Sequence, residues 1–413
     1  MGLSNQDIFW DDVIYTKFLR QLPCVFDMLF FATMLMLLIG SRNKSKRVLS
    51  NFEKIIFFLA VLSFSTILVN PNSSFTWVDK TSRAFTFMLL PFALYTLLKI
   101  SDENLFEFLN VTFRYFAAFA IICSVLALVK FSLGNGVSGF FDVDATIQTG
   151  DVLYFLSFIQ VILLALFLVK KRFLYLFLSS ILLVTMFFSF RRTALAISLY
   201  ASVLLFLYEM VGSWKRFAVA LVSLFCFGLI FSLFQPDTVS RLGVYIERYQ
   251  IILGLGTDAG QGLGSDSGHL FESFYSMAVA VSTFSFWGVG LGSSLPAMPM
   301  LPEYAELGVH NVYADLLMRH GAMVFGFFMF VFAIVVVYLF RLVVHGRKVG
   351  ENFFRFKFSI LLFFLGFLIA LFFNATWFKF DYSKFTMLYS ILVVLTLRVS
   401  SQNYGALLRI HST

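Results

Sequence analysis

Long apolar blocks, broken by short polar or charged punctuation, set the pattern of this chain. A helix needs about 20 apolar residues to cross a bilayer, and eleven blocks approach or reach that length. They run Pro23–Gly40, Phe52–Val69, Ala84–Ile100, Val111–Leu133, Val152–Val169, Phe173–Phe190, Thr193–Met210 and Phe217–Phe234. After a gap come Ala322–Phe340, Phe356–Phe373 and Phe385–Leu397. Residues 1–22 mix aromatic and acidic side chains and read as an interfacial helix. Pro91 predicts a kink in the third block. Phe173 to Met210 is too long for one crossing, so a tight hairpin turning at Arg191 and Arg192 is expected.

The gap is a polar, glycine-rich interval, and it divides the chain into three. An N-terminal transmembrane bundle of about eight spans covers 1–234. A large outer loop with short amphipathic helices covers 235–320, and the C-terminal helices with a short cytoplasmic tail cover 321–413. Residues 273–291 (SFYSMAVAVSTFSFWGVGL) are apolar enough to pass as a further span. If they crossed, RLVVHGRK at 341–348 would move outside and break the positive-inside bias. They are therefore expected to lie on the outer surface as an amphipathic element. With eleven spans, the N-terminus outside and the C-terminus inside, roughly 18 of the 31 Lys and Arg flank cytoplasmic ends.

Composition agrees: 60% of the residues are hydrophobic and 13% charged, with 57 Phe and a mean hydropathy of +0.87. That excludes an ordinary soluble domain and gives an all-α polytopic membrane protein of about eleven (ten to twelve) transmembrane helices. The net charge of +8 belongs to clusters beside apolar blocks, so no nucleic-acid partner is expected. Cys24, Cys123 and Cys226 are far apart in apolar runs and read as hydrophobic fillers. No cleavable signal sequence is expected at the N-terminus, where Asp7, Asp11 and Asp12 stand without a basic cap.

Candidate chemistry gathers on the outer side. Arg191 and Arg192 lie at the outer leaflet, against the positive-inside rule, and can clamp a diphosphate through planar, bidentate donors; snorkelling to outer headgroups is the plainer account. Arg241 and Arg248 share a helix face in RLGVYIERYQ, with Glu247 as a structural partner for one of them. Arg83 sits at the outer mouth of the third span. Gly254 to Gly268 make a flexible segment. Gly288, Gly290 and Gly292 resemble a phosphate cradle, but without a preceding strand or a P-loop lysine they point to close backbone packing.

His310 is the sharpest candidate. At a helix start the dipole keeps imidazole neutral, as a general base requires; a structural histidine is the alternative. Beyond it, Asn311, Asp315 and Arg319 fall four apart on one face, acid before base, with Tyr313 facing elsewhere. His269 and His320 are secondary candidates. The histidines are too scattered for a metal site and no paired acids stand on the loop, so a metal-independent reaction without cofactors is expected.

HNVYADLLMRHG at 310–321 resembles the His-Asn-x-(Tyr/Leu)…Gly signature of the O-antigen ligase and O-antigen polymerase superfamily. WGVGLG at 287–292 is similar to that family's glycine turn, and SFRRTALA at 189–196 to its Ser-x-x-Arg-(Thr/Gly)-Ala element. The resemblance covers most of the chain in architecture and about forty residues in motif. It implies a multi-pass protein of the bacterial inner membrane whose single large loop and active face are periplasmic. Its donor would be an undecaprenyl-diphosphate-linked glycan. The acceptor would be another lipid-linked repeat unit for a polymerase, the favoured branch, or lipid A-core for a ligase. Membrane lipids, a chain-length regulator and a flippase are candidate partners.

By the same resemblance His310 activates the acceptor hydroxyl, Arg192 binds the diphosphate, and a loop arginine assists, Arg241 before Arg248. The accompanying substrate-binding candidates are Arg191, Arg248, Asn311, Tyr313, Arg83 and Arg319. Where family members often carry a loop Arg before an aromatic, this chain has Ser-Gly-His269-Leu-Phe-Glu. The expected course is inversion by single displacement. A lipid-linked glycan flippase is the alternative from another class; it would call for mid-span charges and two related halves.

Overall fold

A computed structural model describes residues 22–40, 48–69, 77–132, 150–188, 192–212, 275–283, 285–288, 311–372 and 382–400, and among them there is no strand. The N-terminal helices are α1 (Leu22–Gly40), α2 (Asn51–Val69), α3 (Trp77–Lys99) and α4 (Asp102–Ser132). They are followed by α5 (Gly150–Lys170), α6 (Phe173–Phe188) and α7 (Arg192–Gly212). Residues 275–282 are helical and are labelled α8. Then come α9 (Val312–Asp315), a π-helical turn (Leu316–His320), α10 (Gly321–Val349), α11 (Glu351–Ala370) and α12 (Tyr382–Arg398). The eighth predicted span, the interfacial helix and most of the loop lie outside the described residues.

Among the described residues, Asp102–Val125, Val312–His345 and Glu351–Ala370 are long and apolar enough to cross a membrane, and shorter apolar helices stand beside them. Large apolar side chains such as Met36, Phe58, Ile122 and Phe340 are exposed on the outside of the bundle. Such a surface suits hydrocarbon, where only the helix backbone must satisfy itself. The chain is a helical membrane protein.

Several helices start earlier or end later than the apolar blocks. Helix α4 begins at Asp102, not Val111, because the polar run SDEN at 101–104 opens the helix as its first turn. Ser101 Oγ accepts from the Asn104 amide at 3.4 Å, and Asp102 and Glu103 suit the positive end of the dipole. At α2, Ser50 and Glu53 make a reciprocal capping box, with Ser50 N donating to Glu53 Oε2 at 2.8 Å and Glu53 N to Ser50 Oγ at 3.3 Å. Helix α10 continues past Phe340 to Val349 and stops at Gly350, whose φ of 98° is open to glycine.

Helix α11 is the hub, buried over most of its length and packed by α5, α7, α10 and α12. At Gly366 helix α11 faces α7, and a Cβ there would just touch Ile197 and Tyr200 side-chain atoms, at 3.4 Å. Phe363 and Phe367 stack, and Phe158 and Tyr154 of α5 pack against them. A polar layer ties α5, α6 and α7 together: Gln160 Nε2 donates to Ser179 and Ser202 Oγ, each at 3.1 Å.

Three buried cations bind one end of the bundle. Arg355, at the start of α11, pairs with Glu209 at the end of α7 and with Glu351. Lys357 Nζ donates to the Leu395 and Thr396 carbonyls at 2.6 Å and to Val399 at 3.1 Å, satisfying the last turn of α12. Arg398 donates to the Leu97 and Ile100 carbonyls, at 2.7 and 2.9 Å, and pairs with Asp102. Cations at helix C-termini meet orphan carbonyls and the negative end of the dipole. This basic end therefore holds the C-termini of α3, α7 and α12 and the starts of α4 and α11.

Candidate functional site

The opposite end holds the segment singled out by sequence. Asn311 is fully buried and caps α9, its Oδ1 accepting from the Tyr313 and Ala314 amides at 2.9 and 3.1 Å. The chain is anchored to the end of α11 by two bonds. Val312 N donates to Leu371 O at 2.9 Å, and Tyr313 Oη donates to Leu368 O at 2.7 Å. Asp315 and Arg319 form an ion pair at 2.9 Å, with side chains 6% and 14% exposed. The acid-before-base spacing thus makes a real pair, although the helix widens into a π turn between them. Such π turns recur at functional sites.

The π turn ends at Gly321, and a second strand of backbone lies against it. Ser285 O accepts from the Ala322 amide at 3.1 Å. A Cβ on Gly288 would sit 2.5 Å from the Arg319 carbonyl carbon, and one on Gly321 2.6 Å from the Gly288 nitrogen. Both glycines have positive φ, 74° and 82°. Close backbone packing is thus what Gly288 does; Gly290 and Gly292 lie outside the described residues. Helix α8 supports this crossing, Ala280 packing on Ala314, Leu317 and Met318.

His310, Arg191, Arg241, Arg248 and His269 lie outside the described residues. Arg192 and Arg83 are placed as positions of α7 and α3, and their side chains are outside the description. The start of α7 nevertheless shares an end with Asn311. Ser157 of α5 donates to Ala194 O at 2.9 Å. One turn away Tyr154 packs edge-on against Phe367 of α11, with centroids 6.0 Å apart. The next residue, Leu368, receives the Tyr313 hydroxyl. So Asn311, the end of α11 and the helix beginning at Arg192 meet at one end of the bundle.

Beside Tyr313 an apolar groove of ≈ 360 Å³ runs between α10 and α11, lined by Phe325, Met329, Phe332, Leu368 and Phe372. His320 is buried at the end of the π turn. Among the described residues no three His, Cys, Asp or Glu side chains gather as a metal site requires. The Gly288–Gly321 crossing went unread as a pair in the sequence. Its only signal is a glycine in each motif, the second residue of WGVGLG and the last of HNVYADLLMRHG. No protein-family model matches this chain, and no curated protein matches it either.

Proposed function

We propose that this protein is a membrane glycosyltransferase that moves an undecaprenyl-diphosphate-linked glycan onto the hydroxyl of another lipid-linked repeat unit, as a glycan polymerase of the bacterial inner membrane. One observation carries the reading: the helix start next to His310 and the helix start at Arg192 lie at the same end of the bundle. The eleven-span topology belongs with it. The end rich in buried and flanking cations then faces the cytoplasm, and the end bearing Asn311 faces the periplasm.

In this reading the acceptor oxygen attacks the anomeric carbon as the bond to the diphosphate oxygen breaks, inverting the centre. The electron pair leaves with the lipid diphosphate, whose growing charge Arg192 stabilises, assisted by Arg241 or Arg248. The acceptor proton passes to His310, a step that contributes about 10²–10⁴-fold. Arg319 is held by Asp315, and Asn311 and Tyr313 hold the backbone that follows the base. The apolar groove beside Tyr313 offers hydrocarbon a place close to the reacting end.

The test is transfer by purified protein from a lipid-linked glycan donor, with lipid-linked and lipid A-core acceptors offered separately. Elongation of the lipid-linked acceptor, lost in His310→Ala and impaired in Arg192→Lys, is expected. Transfer to lipid A-core alone would make the protein a ligase. Full activity in His310→Ala would remove the histidine as base, and no transfer to either acceptor would remove the enzyme.

A further inference from the structure

A cavity of ≈ 230 Å³ lies between α4, α5 and α6, toward the basic end. Helix α4 lines it with Asn110, Arg114, Ala117 and Ile121, a single stripe at three- and four-residue spacing. Across from them stand Ile159 and Leu166 of α5, with Tyr175 of α6 toward the basic end. From Asn110 to Ile121 the helix rises by roughly 16 Å, so this small volume is drawn out along the bundle. The next face of α4 carries exposed Val111, Tyr115, Phe119 and Ile122. Lipid is therefore the cavity's neighbour.

Two polar groups interrupt an otherwise mostly apolar lining, one turn apart. Asn110 is 5% exposed, and its Oδ1 has no hydrogen-bond donor among the described residues. Asn110 is the residue of this lining whose buried side-chain oxygen is left so. Arg114 is exposed and brings a guanidinium to the same stripe. A ligand for this place needs a hydrogen-bond donor, an anion about one helical turn from it, and then a hydrocarbon chain.

We propose that the cavity binds one phospholipid from the leaflet at the basic end. Its headgroup hydroxyl or ammonium donates to Asn110 Oδ1, its phosphate meets Arg114, and an acyl chain runs along Ala117 and Ile121. The order agrees with depth, since α4 starts at the basic end and Asn110 precedes Arg114. Arginine suits phosphate because its planar fork can give two parallel donors. The site lies toward the other end from Asn311, and it stands whether or not the protein transfers sugars.

The test uses delipidated full-length protein and native mass spectrometry with phosphatidylglycerol, phosphatidylethanolamine and phosphatidylcholine of identical chains. The first two carry a headgroup donor and should bind about tenfold tighter than the choline lipid, which has none. The near-isosteric Asn110→Leu should bring phosphatidylglycerol down to the choline level and leave the choline lipid unchanged. Ala117→Phe, which fills the slot, should weaken all three. Equal binding of the three lipids by the wild type, or a glycerol-to-choline ratio unmoved in Asn110→Leu, overturns the proposal. If Ala117→Phe does not fold, the Asn110→Leu comparison decides alone.

Discussion

Gly288 and Gly321 cross backbone against backbone, each in a positive-φ conformation, and neither has room for a Cβ. The crossing clamps the π turn that carries Arg319 and His320 under the segment 285–288. Nothing bulky can be accommodated by a rotamer change, because the obstructing atoms are backbone. Gly288→Ala and Gly321→Ala should therefore each cost about 2 kcal/mol or more, from left-handed strain together with the clash. Thermal unfolding in detergent measures this. Gly326→Ala is the control: it sits in α10 with open space around its Cβ position, and alanine favours a helix. Equal midpoints for Gly321→Ala and Gly326→Ala would remove the crossing as a structural clamp.

Asn311 yields a prediction that separates capping from substrate contact. Its Oδ1 serves two backbone amides and the residue is fully buried. Asn311→Ala should lose about 1 kcal/mol. Asn311→Asp keeps an oxygen acceptor in the same place, beside the positive end of the helix dipole, and should restore most of the loss. Transfer activity should follow stability across the pair. An aspartate variant that folds like wild type and yet transfers nothing would mean that the amide itself touches substrate.

How far could these features be read in advance? Helix α5, Gly150–Lys170, nearly coincides with the block Val152–Val169 because polar residues flank it sharply. Helix α4 was harder, since the polarity of Ser101 to Asn104 signals a loop while the same residues cap and charge a helix start. Asp315 and Arg319 were legible because their pairing is local. The two glycines were not legible as partners, because their meeting joins segments far apart in sequence. The same holds for Lys357 and Arg398. Lys357 lies inside the block Phe356–Phe373 and Arg398 just after Leu397, and they become helix caps only when α12 and α3 are packed beside them.

Tyr313 spends its hydroxyl on the Leu368 carbonyl, and its ring meets Phe325 edge-on at a centroid distance of 6.4 Å. Tyr313→Phe keeps the ring contact and leaves the carbonyl without that donor. About 1–2 kcal/mol of stability should go, with activity retained wherever the protein is folded. Unfolding midpoints and initial transfer rates, taken at one temperature below both midpoints, distinguish the outcomes. A folded variant slowed a hundredfold would instead give the hydroxyl a part in binding substrate.

The pairing of Arg355 with Glu209 offers the clearest energetic test at the basic end. Both side chains are almost wholly buried, and they join the start of α11 to the end of α7. Removing only the cation leaves a carboxylate without its guanidinium partner in low dielectric, so Arg355→Met should cost about 3–5 kcal/mol. Removing both charges relieves that penalty, and Glu209→Gln with Arg355→Met should be more stable than Arg355→Met alone. The exposed Glu351 also bonds Arg355, yet it stays solvated when the arginine is lost. Glu351→Gln should therefore change stability by less than about 1 kcal/mol. Because this end lies away from Asn311, the double variant should keep its transfer activity at temperatures where it is folded. A double-mutant cycle with additive losses would show that the two charges act independently, and that the joint between α7 and α11 rests on the packing of Ile197 over Gly366 instead.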